Sequence, residues 1–239
     1  MNKGLMCGAM LAFGVSSCSP INDLLHPTPE KLYVKGGSGA VYNLGFEEGM
    51  ADIANLCNRF LFEDMFFFDG YRWYDVGIHE TNKTVAADTD IINELYDDKE
   101  NQVLIHLHYA SPGMALGPSK NDFIMSAKFI QRYKNLTHLA ANSDAIWAYS
   151  WKASEDELVV LNKFWNASNA SEIDSNLQKS VDSICIVPDE AQNVVIDAQK
   201  SIGHGMPSVF TGCYKGASFS RIPMDLVSGR YYKKDWFSP

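Results

Sequence analysis

The stretch Val103-Leu104-Ile105-His106-Leu107-His108, followed downstream by Pro118-Ser119-Lys120-Asn121-Asp122-Phe123, decides the fold of this chain. The first segment is short and dominated by branched apolar side chains, which suits a strand. Alternation along a strand sends Val103, Ile105 and Leu107 to one face and Leu104, His106 and His108 to the other. Two histidines at i, i+2 therefore share a face, and both rings can reach one point. From Ala110 to Pro118 the chain is rich in Pro and Gly and reads as a loop. A helix over about 121–133 follows, with Phe123, Ala127 and Ile130 at i, i+4, i+7.

Working outward towards the N-terminus, Asp69-Gly70 lies between two apolar runs, a strong hairpin signal. It predicts paired strands over Phe62–Phe68 and Tyr71–Ile78. A helix is expected over 43–60, on the helical spacing of Leu44, Met50, Ile53, Ala54, Cys57 and Phe60. A short helix over 88–98 would bury Ile91, Ile92 and Leu95. Towards the C-terminus, Ala145–Trp151 and Glu157–Phe164 read as two further strands, and beyond 165 the pattern weakens. The fold class predicted is α/β: a mixed sheet with a β-hairpin, flanking helices and a C-terminal extension.

Two histidines and one carboxylate, with a fourth position left to water, make a catalytic zinc arrangement rather than a closed structural one. Asp122, in the first turn of the helix after the loop, is placed to supply the carboxylate. A plainer account also exists. Paired histidines on a strand are common on surfaces, and Ser119-Lys120-Asn121-Asp122 is a helix-capping pattern that needs no catalysis.

HxH, a loop and then Pro-Ser-x-x-Asp together resemble the signature of JAMM metalloproteases, the JAB1/MPN-like domains, in their distant bacterial form. The resemblance spans about 41–160. It implies that His106, His108 and Asp122 bind Zn(2+), that Ser119 assists the oxyanion, and that an upstream glutamate is the general acid/base. Glu63, before the Asp69-Gly70 turn, fits that place, and Glu80 is its rival. The implied reaction is hydrolysis of a peptide or isopeptide bond in a peptide or protein substrate. Two departures stand out: Tyr109 follows the second histidine where many members have proline, and the loop before Ser119 is longer than usual.

The chain of 239 residues starts with Met1-Asn2-Lys3 and an apolar run from Gly4 to Val15. That run is short for a membrane span, which needs about 20 residues. It reads as a signal peptide over 1–17. Val15-Ser16-Ser17-Cys18 resembles a lipobox, which implies lipidation of Cys18. Ser19 after it implies an outer-membrane lipoprotein of the bacterial envelope, held to the membrane through the Cys18 lipid. Residues 18–40, with Pro20, Pro27, Pro29 and Gly36-Gly37-Ser38-Gly39, read as a tether. A JAMM-like hydrolase domain would span 41–164 and an accessory segment 165–239, whose aromatic and basic end Tyr231–Trp236 could contact a partner.

The formal net charge of −9 argues against nucleic acid as a partner. Oligomeric state is open. Of the cysteines left after processing (Cys57, Cys185 and Cys213), Cys185 and Cys213 are the better candidates for a disulfide. His26, His79 and His138 have no visible partners, and Gly203-His204-Gly205 reads as a surface turn. The alternative function is a non-catalytic binding or structural lipoprotein of an envelope assembly using the same fold.

Overall fold

The structure is a computed structural model. It describes residues 13–15, 30–31, 40–42, 44–59, 63–81, 83–98, 101–108, 117–142, 144–167, 172–202 and 209–228. The fold is mixed α/β, built on a nine-stranded sheet with helices on both faces.

The centre of the sheet is β8 (Gln102–Leu107). On one side it pairs antiparallel with β4 (Asp64–Phe68), matching Met65 to His106 and Phe67 to Leu104. On the other side it runs parallel to β9 (Leu136–Ala141), matching Leu104 to His138 and His106 to Ala140. A parallel pair needs a crossover, and helix α3 (Lys120–Arg132) supplies it. β10 (Ala145–Trp151) continues the sheet from β9, and β12 (Ala217–Pro223) and β11 (Phe210–Tyr214) complete that edge. On the β4 side come β5 (Trp73–Asp75), β3 (Ala40–Tyr42) and β2 (Glu30–Lys31).

The β4–β5 hairpin forms as expected. Asp69 Oδ1 accepts from the amides of Tyr71 and Arg72, both at 2.7 Å, and Gly70 takes a left-handed φ of 103°. That conformation favours glycine at this position. The second run does not continue as one strand. It breaks at Val76, and β6 (Gly77–Thr81) joins β7 (Lys83–Ala87) in a separate three-stranded sheet with β1 (Phe13–Val15). In the unprocessed chain, part of the expected leader thus lies along β7. Positions 16–18 of the lipobox, His26, His204 and the 231–236 end lie outside the described residues.

The two faces of β8 are unlike. Val103, Ile105 and Leu107 pack with Leu139, Ile146 and Ile222 under α1 (Phe46–Arg59) and α7 (Met224–Ser228). On the other face, Leu104 joins Met65, Phe67, Phe129 and Tyr133 below α2 (Thr89–Leu95) and α3. Further along that face, Trp147, Tyr149 and Trp151 pack against Phe123 and Ala127 of α3 and against α4 (Glu155–Trp165), α5 (Ser175–Ile184) and α6 (Ile186–Ile202).

Segment 157–164, expected as a strand, is helical. Ser154 caps α4 in a capping box with Glu157, and three acidic residues in the first turn suit the helix dipole. Leu158, Leu161, Phe164 and Trp165 fall at helical spacing and pack on the core, whereas Val159 is exposed. The segment after 165 shares the core of the rest: β12 is hydrogen-bonded to β10 along its length, and α6 packs against α3. The expected Cys185–Cys213 bond is not made. Cys185 caps α5 and is buried, whereas Cys213 is exposed on β11.

Candidate metal centre

β8, α3 and the segment before β4 bring four candidate side chains together. His106 is fixed within the sheet between Met65 and Ala140. His108 follows the strand, and its amide donates to Ala141 O at 2.7 Å, which extends the ladder by one bond. The alternation anticipated from sequence holds: Leu104, His106 and His108 face α3.

Asp122 arrives through the start of α3. Ser119 is the N-cap, and Asp122 closes a capping box. Asp122 Oδ2 accepts from Ser119 N at 2.7 Å and from Ser119 Oγ at 2.8 Å, while Asp122 N donates back to Ser119 Oγ. The helix is seated by three further contacts. Ser126 Oγ, buried, accepts from Trp151 N at 3.0 Å. Lys120 N donates to Gln192 Oε1 of α6 at 3.1 Å. Gly117 lies so close to Trp147 and Val195 that a Cβ there would meet Val195 at 2.3 Å, so only glycine lets the chain enter α3 at this position.

The donor atoms of His106, His108 and Asp122 all lie within 4.8 Å of one another, and all three residues are buried. His106 Nδ1 is 3.2 Å from Asp122 Oδ1, and His106 Nε2 is 3.4 Å from Glu63 Oε2. Glu63 is 8% exposed, which brings a fourth acid-base group to the cluster. Glu80 lies on β6, in the other sheet.

His108 Nε2 is 3.1 Å from Asp122 Oδ2 but lacks the alignment of a hydrogen bond. Among the described residues it has no hydrogen-bond partner. A buried nitrogen of this kind, beside a second histidine and a carboxylate, fits a metal ion. The His106-His108-Asp122 group could hold one.

Burial alone would make His106 harder to protonate. Its hydrogen bonds to Asp122 and Glu63 outweigh burial and raise it to about 9. Burial would likewise raise the Asp122 carboxyl, but His108 and His106 beside it hold it well below the usual carboxylate range.

Sequence reasoning missed His138. It lies on β9 opposite Leu104, on the same face as His106, with ring contacts to Phe129 and Tyr149. Its Nε2 has no hydrogen-bond partner among the described residues, and burial lowers it to about 4. The signal was the alternation of His138 and Ala140 against Leu139 and Ala141. It becomes visible once Leu136–Ala141 is taken as a strand.

Ser119 stands beside the cluster, with its hydroxyl proton directed at Asp122. Among the described residues, no helix is long and apolar enough to cross a membrane. Comparison with models of known families, with curated proteins and with solved structures gives no match for this chain.

Proposed function

We propose that this protein is a zinc-dependent hydrolase of the JAMM-like kind, cleaving a peptide or isopeptide bond and carried on the bacterial envelope by a lipid at Cys18. One observation carries the reading: two histidines and one carboxylate converge in a buried cluster with a glutamate 3.4 Å from the nearer histidine. Two imidazole nitrogens and a carboxylate oxygen suit zinc better than a hard cation, which prefers oxygen ligands, and His106 would release its proton on binding.

His106, His108 and Asp122 would hold the ion, which when bound supplies a Lewis acid and a water acidified to about pH 7. Glu63 is the proton carrier, since its carboxylate lies 3.4 Å from His106 Nε2, within reach of the cluster. Ser119 orients Asp122 by two hydrogen bonds, which fixes the carboxylate before any ligand arrives. An oxyanion contact from Ser119, as the family resemblance implies, requires its hydroxyl to turn away from Asp122.

That commitment of Ser119 favours a second reading, a binding lipoprotein with a structural metal or none. Zinc content measured by mass spectrometry on protein lacking residues 1–18, beside His108→Ala, separates them. About one zinc per chain, lost in the variant, supports the hydrolase and justifies a peptidase screen with Glu63→Gln as control. Protein that takes up no zinc when it is supplied would overturn it. Lipid labelling of Cys18 tests the anchor.

A further inference from the structure

A cavity of about 140 Å³ opens between α3 and β7, with His106 and Asp122 in its wall. Its other walls are mainly apolar, among them Met65, Leu104, Met125 and Phe129. On the β7 side the lining residues are Ala86 and Ala87, and the small side chain of Ala87 is the one packed towards this core. An engineered apolar cavity of about 150 Å³ is known to hold benzene, so this one is the size of a single ring. His138 also lines it, and His138 Nε2 is buried without a hydrogen-bond partner among the described residues. An unpaired buried polar atom in a cavity wall costs free energy unless a partner answers it.

Resting on the hydrolase reading, we propose that this cavity is the side-chain pocket of the metal centre and takes an aromatic side chain of the substrate, tyrosine best. The ring would fill the space between Leu104, Met125 and Phe129, and the phenol hydroxyl would pair with His138. The backbone carbonyl beside that side chain is then delivered to the His106–Asp122 wall, where the bond is cut. Pockets of this kind discriminate by fit: about 10- to 200-fold in kcat/KM for a missing methylene, and more where a hydroxyl partner is lost.

The test needs no activity to begin. Methyl NMR on protein with labelled methionine, free of metal, is followed while p-cresol and then toluene are added. Saturable shifts at the Met65 and Met125 methyls, with p-cresol about tenfold tighter than toluene, are expected. Ala87→Phe, which fills the space from β7, should abolish them, and the milder Ala87→Val should weaken them, while both variants still take up zinc. Absence of any shift with millimolar p-cresol in protein that binds zinc overturns the pocket and leaves the hydrolase standing. Equal affinity for the two probes overturns the role of His138. Shifts in protein that binds no zinc overturn the assignment to a metal centre, because the hydrolase reading has then failed by itself. If the enzyme is active, peptides with tyrosine beside the cleaved bond should exceed those with aspartate, and Ala87→Phe should erase that preference.

Discussion

His106 and His138 sit on the same face of one sheet, on the neighbouring strands β8 and β9, and both are almost fully buried. Their surroundings push them in opposite directions. His106 has a carboxylate on each ring nitrogen and is raised to about 9. His138 is edged by the rings of Phe129 and Tyr149 and is lowered to about 4. Depth in the protein is the same for both, so what differs is the company. Burial by itself makes a histidine neutral, and the acids brought in by the segment before β4 and by α3 are what keep His106 protonated in the metal-free protein.

The hardest way to break this contrast is to remove the acid. Asp122→Ala strands His106 and ends the capping box. Denaturant unfolding of the metal-free protein at pH 7 should show a loss of about 3–5 kcal/mol, the usual cost of removing one partner of a buried pair. Zinc uptake should vanish in the same variant.

The two histidines should also give the metal-free protein opposite pH limbs. The folded-state value of His106 lies above its unfolded value, so its contribution is complete below about pH 6.5 and fades as pH rises through about 9. A shift of that size corresponds to about 3 kcal/mol. His138 is lowered, so its contribution is complete above about pH 6.5 and fades as pH falls towards 4. Urea midpoints measured from pH 4.5 to 9.5 should therefore rise and then fall. His106→Phe should flatten the alkaline limb only, and His138→Phe the acid limb only. A single variant that flattens both limbs would refute the contrast.

The smallest expected effect sharpens it. Ser119→Ala removes a cap and should cost about 1 kcal/mol of stability. Because Ser119 holds Asp122 Oδ2, the same variant should weaken zinc binding about 10- to 100-fold, as loss of an outer hydrogen bond to a ligand does.

The site was more legible in the sequence than the rest of the fold, for physical reasons. His106, His108, Ser119 and Asp122 belong to one strand–loop–helix segment, so strand alternation and a capping pattern locate them without knowledge of distant contacts. Glu63 was reachable because Asp69-Gly70 announces the hairpin that it immediately precedes. The strand β9 was missed because Leu136-Thr137-His138-Leu139-Ala140-Ala141 is weakly β-forming and is held by its parallel neighbour. With β9 went His138. Helix α4 was mistaken for a strand because Val159, Val160 and Leu161 form an apolar run, and the signal that decides the matter is the Ser154–Glu157 box ahead of it. The place of 210–223 in the main sheet depends on register with β10 across a long stretch of chain, which no local pattern encodes.

The capping box at the start of α3 also makes the metal centre observable without a metal signal. The Ser119 amide donates to the same carboxylate whose other oxygen faces His106. Whatever steadies Asp122 steadies that N–H, so exchange of the Ser119 amide with deuterated water is a clock for occupancy. Its protection, taken relative to the intrinsic exchange rate at each pH, should grow when the cluster is filled and fall when the pH strips the proton from His106, and a single backbone position thereby records the state of a buried group several ångströms away.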